Sequence, residues 1–242
     1  MLLFPIVTFH AYLMIYVLAA ILPAVFLLRY IYNEDKADKE PWWILRRLLA
    51  GGFLATIVSM VLELIGETLL NFSYPDRDDA LYTIILAFLV VGVVEEGSKF
   101  FFLYKMSFHE RCFNYRFDGI VYAVFVSLGF AAVENINYVF QYGLGVALPR
   151  ALLAIPGHMG FAVVMGTFYG QARLYADLHN EHASRFCLFL GWFFAVMMHG
   201  IYDTCAMLGT SLSNIVFVLF IIFMYIFVFR LIHWQSAHDE PV

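Results

Sequence analysis

Two adjacent glutamates, Glu95 and Glu96, and a lysine, Lys99, interrupt a run that is otherwise apolar from about Ala80 to Tyr104. A run of that length reads as a membrane-crossing helix. Carboxylates at such depth are unfavourable by roughly 2.5–3.5 kcal/mol each on insertion scales. Three ionisable groups in five residues therefore mark a functional site facing the protein interior, or an internal ion pair that ties two helices together. The two glutamates diverge by about 100° around a helix, and Lys99 stands within one turn of both. Two carboxylates and an ammonium in one place can take a proton from water and pass one to a leaving group, which is what hydrolysis needs.

Further polar residues stand in later apolar runs. Glu134 and Tyr138 lie one turn apart on one helical face, with Asn135 beside them, and Gly129 and Ala131 are small enough for close helix contact. Asp118 opens that run and is expected to cap it. In Ile155-Pro-Gly-His158, Pro156 is expected to remove a backbone hydrogen bond and bend the helix beside the imidazole. His158 is then either a site residue or a hydrogen-bonded packing residue. His199 and Asp203 are spaced i,i+4, so the aspartate can set the imidazole tautomer. Glu63 and Glu67 also share a face and read as cavity lining, with no chemistry assigned. Glu134, His158 and His199 each lie eight or nine residues from the expected outer end of their span, roughly 12–13 Å deep, whereas Glu95 lies about fifteen residues in.

The elements that must position these groups are membrane helices. Hydrophobic residues make up 63% of the chain, charged residues 14%, and mean hydropathy is +0.80. The fold class is all-α: a polytopic bundle of about seven transmembrane helices in one domain, residues 1–242. The spans are drawn at Phe4–Tyr32, Ile44–Leu70, Ala80–Lys105, Asp118–Tyr142, Arg150–Leu174, Phe186–Leu208 and Ser211–His233. The first is read as a permanent span, since it has no basic n-region and runs beyond a signal-peptide core. Eleven Lys and Arg fall on one side and two, Arg77 and Arg150, on the other, which places the N-terminus outside and the C-terminus in the cytoplasm. The net charge of −5, with no basic cluster, argues against nucleic acid as a partner. Cys112, Cys187 and Cys205 have no metal-ligand spacing and read as free thiols.

Taken in order and spacing, Glu95-Glu96-x-x-Lys99, Asp118-Gly119, Gly129-Phe130-Ala131 with Glu134-Asn135, His158, and His199-Gly200 with Asp203 resemble the PrsW family of intramembrane proteases. That family is grouped with the CAAX prenyl endopeptidases and bacteriocin-processing membrane proteins. The resemblance covers roughly Leu89 to Asp203, within a catalytic core of about residues 80–208. It implies a glutamate-dependent endopeptidase of the bacterial cytoplasmic membrane that cuts a membrane-anchored protein. In bacteria the family's role is the first cut of an anti-sigma factor, which starts a stress response. Carried over, Glu95 and Glu96 activate water and His199 helps bind the oxyanion. His158 and Glu134 join them, with Lys99, Asn135, Asp203 and Tyr138 as the supporting shell. The chain departs from the CAAX branch, which has an arginine at longer spacing after its glutamates and a histidine where Glu134 stands. Prenylated substrates are therefore not expected.

This leading reading needs no cofactor. A variant uses zinc, held by Glu134, His158 and His199 with Glu95 or Glu96 as base, although there is no HExxH motif. A second class, a proton-coupled transporter, would use the same acids and histidines as a relay, but no internal repeat supports it. A third is a non-catalytic membrane scaffold or sensor.

Overall fold

A computed structural model describes the backbone of residues 3–242 except Pro75, and the side chains from Tyr12 onward. Seven helices are long and apolar enough to cross a membrane. They are α1 (Leu3–Glu34), α2 (Trp42–Ser73), α3 (Ala80–Ser107), α4 (Asp118–Tyr142), α5 (Ala154–Asp177), α6 (Glu181–Leu208) and α7 (Ser211–Ala237). Among the described residues there is no strand, only an isolated bridge that pairs Tyr115 with Pro241 near the C-terminus.

The starts and stops follow from local chemistry. Asp79 and Asn180 cap α3 and α6 by accepting from Leu81 N and Ala183 N, and Thr210 and Ser213 form a reciprocal capping box at α7. Gly209, at φ 61°, closes α6 in the left-handed conformation that glycine adopts without strain. Asp118 does not cap α4. It is the first residue of the helix, and its carboxylate accepts from Asn114 N and Tyr115 N in the preceding loop.

The axis of the bundle is α4, whose residues 118–131 are all buried. Its neighbours approach so closely that side chains are excluded. A Cβ on Gly119 would lie 2.5 Å from Gly170 N and 2.6 Å from Gly166 O of α5, and one on Gly129 would lie 2.7 Å from Leu49 O of α2. The small residues thus act as the packing surface expected of membrane helices, where backbone approach replaces the hydrophobic drive. Apolar side chains on α1, α2, α6 and α7 face outward, as they do towards lipid.

Two irregularities shape the interior. Residues Leu86–Gly92 of α3 form a π-helical segment, and the regular helix resumes at Val93, two residues before Glu95. Bonding from i to i+5 puts more residues in each turn and so lowers the rise per residue. Glu95 thus follows directly on a stretch where the helix is wound differently from the rest of α3. The second irregularity precedes α5. A short helix, Ala147–Leu152, breaks at Leu153 (φ −119°, ψ −59°) before α5 begins. Pro156 therefore sits in the first turn of α5 and starts the helix rather than bending it, because no N–H is needed there. The carbonyl left without a donor, Leu152 O, accepts from the Tyr225 hydroxyl of α7.

Candidate active site

The groups singled out on α3, α4, α5 and α6 meet in one place. Lys99 Nζ donates to Glu95 Oε2 at 3.0 Å and Glu96 Oε1 at 2.8 Å, faces His158 Nδ1 at 3.1 Å, and lies 4.0 Å above the Phe130 ring. With the ammonium as donor, His158 Nδ1 accepts, and Nε2 carries the hydrogen given to Glu134 Oε2 at 3.0 Å. His199 Nδ1 lies 2.9 Å from Glu96 Oε1, while its Nε2 lies 3.3 Å from Asp203 Oδ2 and 3.9 Å from Glu95 Oε2. The Phe161 ring stacks on the His199 imidazole at 4.9 Å. Close contact between α3 and α6 makes the Glu96–His199 bond reachable, because Gly200 has no side chain to displace the Phe88 ring that packs against it.

The two glutamates differ in setting. A cavity of about 570 Å³ runs between the helices, bordered by Glu95, Glu134, His158, His199 and Asp203. Glu96 and Lys99 stand behind that wall. Glu96 is 0% exposed, with Oε2 buried and unpartnered, and Lys99 is 2% exposed. One carboxylate therefore meets whatever fills the cavity and the other does not.

Tyr138 borders the cavity, but Asn135 does not: its Nδ2 donates to Ala20 O of α1 at 2.8 Å. Glu63 and Glu67 on α2 line the cavity as expected of their shared face, and Glu63 Oε1 is buried without a partner. The residue that sequence reasoning missed is Arg150, counted there as an outer-loop charge. It lies in the apolar Leu144–Asp177 segment, borders the cavity, and donates to Glu134 Oε2 and Asn135 Oδ1, each at 2.7 Å. No helical spacing could have found it, because the helix breaks at Leu153 between Arg150 and His158.

The donor set suits a metal ion. Ligand atoms of Glu95, Glu96, His158 and His199 all lie within 4.8 Å of one another. Glu134 is not among the four; it stands behind His158, as Asp203 stands behind His199. A carboxylate behind a ligating imidazole is the usual outer support of a metal site. Glu96 Oε2 is buried with no hydrogen-bond partner among the described residues.

Seven membrane-length helices enclosing paired carboxylates, two imidazoles and an ammonium around an internal cavity define a polytopic membrane protein with a hydrolase-type site. A family profile described as "PrsW family intramembrane metalloprotease" matches residues 39–231, and the chain belongs to that family. It is similar to Protease PrsW of Shouchella clausii (strain KSM-K16), 33% identical over 187 residues, covering 77% of this chain and 81% of the relative. It is also similar to Protease PrsW of Clostridioides difficile (strain 630), 30% identical with 86% of each chain covered. Against Protease PrsW of Bacillus subtilis (strain 168) the identity is 32%, with 88% of this chain and 91% of the relative covered. No solved structure matches the chain. The protein is thus a peptidase and a multi-pass protein of the bacterial cell membrane.

Proposed function

We propose that the chain hydrolyses a peptide bond of a membrane-anchored protein, with Glu95 as the group that activates water. The observation that carries this reading is that Glu95 alone of the pair borders the cavity, while Lys99 bonds it from behind at 3.0 Å. Glu95 takes a proton as the water oxygen attacks the scissile carbonyl carbon, then returns it to the leaving amine. His199 Nε2, beside both Glu95 and Asp203, turns its hydrogen to the oxyanion. His158 and Glu134 hold Lys99 in register on the far side, and Glu96 holds both Lys99 and His199.

The family description and the four-residue donor set support a metal-assisted form of the same reaction. Glu95, Glu96, His158 and His199 would hold the ion, and zinc bound there would act as a Lewis acid on the scissile carbonyl. Metal analysis of protein that stays active after chelator treatment separates the two forms. The resemblance to the PrsW family supports an anti-sigma factor as the substrate and a first cut in envelope-stress signalling. The Lys and Arg distribution supports an outer N-terminus and a cytoplasmic C-terminus.

The test is N-terminal mapping of membrane-protein fragments in cells that accumulate wild type or Glu95→Gln equally, followed by cleavage with purified protein. General-base loss of about 10²–10⁴-fold is expected. Cleavage by Glu95→Gln at the wild-type rate would overturn the assignment.

A further inference from the structure

An arginine in a membrane-length segment is retained where it has partners and a task. Arg150 has both, yet it lies outside the motifs that carry the family resemblance. Its guanidinium acts as a fork: Nη2 donates to Glu134 Oε2 and Nε to Asn135 Oδ1, each at 2.7 Å, with Cζ 3.8 Å above the Tyr138 ring. Asn135 is in turn fastened to Ala20 O of α1, a helix none of whose described side chains borders the cavity. The fork is therefore anchored from outside the site.

The oxygen of Glu134 that Arg150 grips is the one that accepts from His158 Nε2 at 3.0 Å. A carboxylate held by one bond can rotate. Gripped by a fork that is itself fixed at Asn135, it keeps that oxygen beside the imidazole. His158 must then carry its hydrogen on Nε2 and turn Nδ1 to Lys99, the residue that bonds both glutamates. We propose that Arg150 is a positioning residue: it fixes the Glu134 carboxylate so that His158 keeps its hydrogen on Nε2 and presents Nδ1 to the Lys99–Glu95 pair. A lysine would match the charge without the fork, so this role is specific to the guanidinium. The kinetic consequence rests on the endopeptidase reading, whereas the tautomer does not.

The experiment compares purified, full-length wild type with Arg150→Lys, Arg150→Gln and Glu134→Gln at one pH. It uses imidazole ¹⁵N spectra assigned with His158→Asn, thermal unfolding in detergent, and cleavage kinetics. Arg150→Gln is expected to stay folded, lose the Nε2–H signature of His158, and drop in kcat by about 10–100-fold, the range for a misplaced site or a lost outer partner. The loss in kcat should exceed any change in KM, the split expected of a residue that acts through His158. Arg150→Lys should recover part of both readouts, and Arg150→Gln/Glu134→Gln should be no slower than Glu134→Gln. A folded Arg150→Gln with the wild-type His158 spectrum overturns the proposal. Should Arg150→Gln fail to fold, Arg150→Lys decides: wild-type values in both readouts mean that charge alone suffices, and the proposal falls. Cleavage by Glu95→Gln at the wild-type rate refutes the endopeptidase mechanism, and the His158 spectrum still decides the positioning role.

Discussion

Glu96 Oε1 lies 2.9 Å from His199 Nδ1, so the inner glutamate of the pair is the clasp between α3 and α6. The same oxygen accepts from Lys99 at 2.8 Å. One atom thus ties the ammonium to the imidazole and fixes both relative to Glu95. Its neighbour in sequence does different work because it faces a cavity rather than a helix.

Glu96 and His199 should behave as a unit. Glu96→Gln and His199→Asn are each expected to slow cleavage, and the double variant to be little worse than the slower single, with a coupling of about 0.5–3 kcal/mol, as for contacting residues in one network. Single-turnover rates of the four proteins measure this. Rate losses that simply multiply would show that the two residues act independently.

Stability should depend on pH through the connection between α1 and α2. Burial raises the Glu40 carboxyl to about 7, against the opposing hydrogen bond from Tyr122, with the Asp35 charge adding to the rise. Burial raises Asp35 to about 6, opposed by the bond from Glu40 N at 3.3 Å. Both are near 4 when unfolded, so the folded state holds more protons between about pH 4 and pH 7. The stabilisation is full below about pH 4 and falls as pH rises through that window. Unfolding temperatures in detergent across the window should decline for wild type and decline less for Glu40→Gln, which still accepts from Tyr122. An unchanged slope in Glu40→Gln would remove Glu40 from the explanation.

Gly119→Ala should be among the costly single substitutions. Its Cβ would meet backbone atoms of Gly166 and Gly170, which cannot swing aside as a side chain can. Overpacking of this kind costs about 1–3 kcal/mol. Thermal unfolding reads the loss, and a variant as stable as wild type would mean that α4 and α5 are not in backbone contact.

Much of this molecule is legible in the chain. Long apolar runs with short breaks define seven membrane helices, because backbone polar groups in lipid must bond within their own segment. Charged residues stand out against those runs because burying them is costly, which is why Glu95, Glu96, Glu134, His158 and His199 could be singled out. Helical periodicity placed Lys99 within reach of both glutamates, and the structure has it bonded to both.

The misses have physical causes. Arg150 stood next to turn residues and read as a loop charge, since nothing local shows that a short helix folds back to Glu134. Pro156 read as a bend because the break at Leu153, which makes it a helix start, comes from the chain before it. The π-helical segment of α3 was not legible either, because i to i+5 bonding leaves no clear mark in an apolar run.

Composition and spacing act along one chain, and they suffice to define a helical membrane bundle carrying two carboxylates, an ammonium and two imidazoles within its apolar runs. That Glu95 faces the cavity while Glu96 grips His199 comes from how the helices pack. Neighbours 100° apart on one helix are equivalent until α6 packs against one side and leaves the other open.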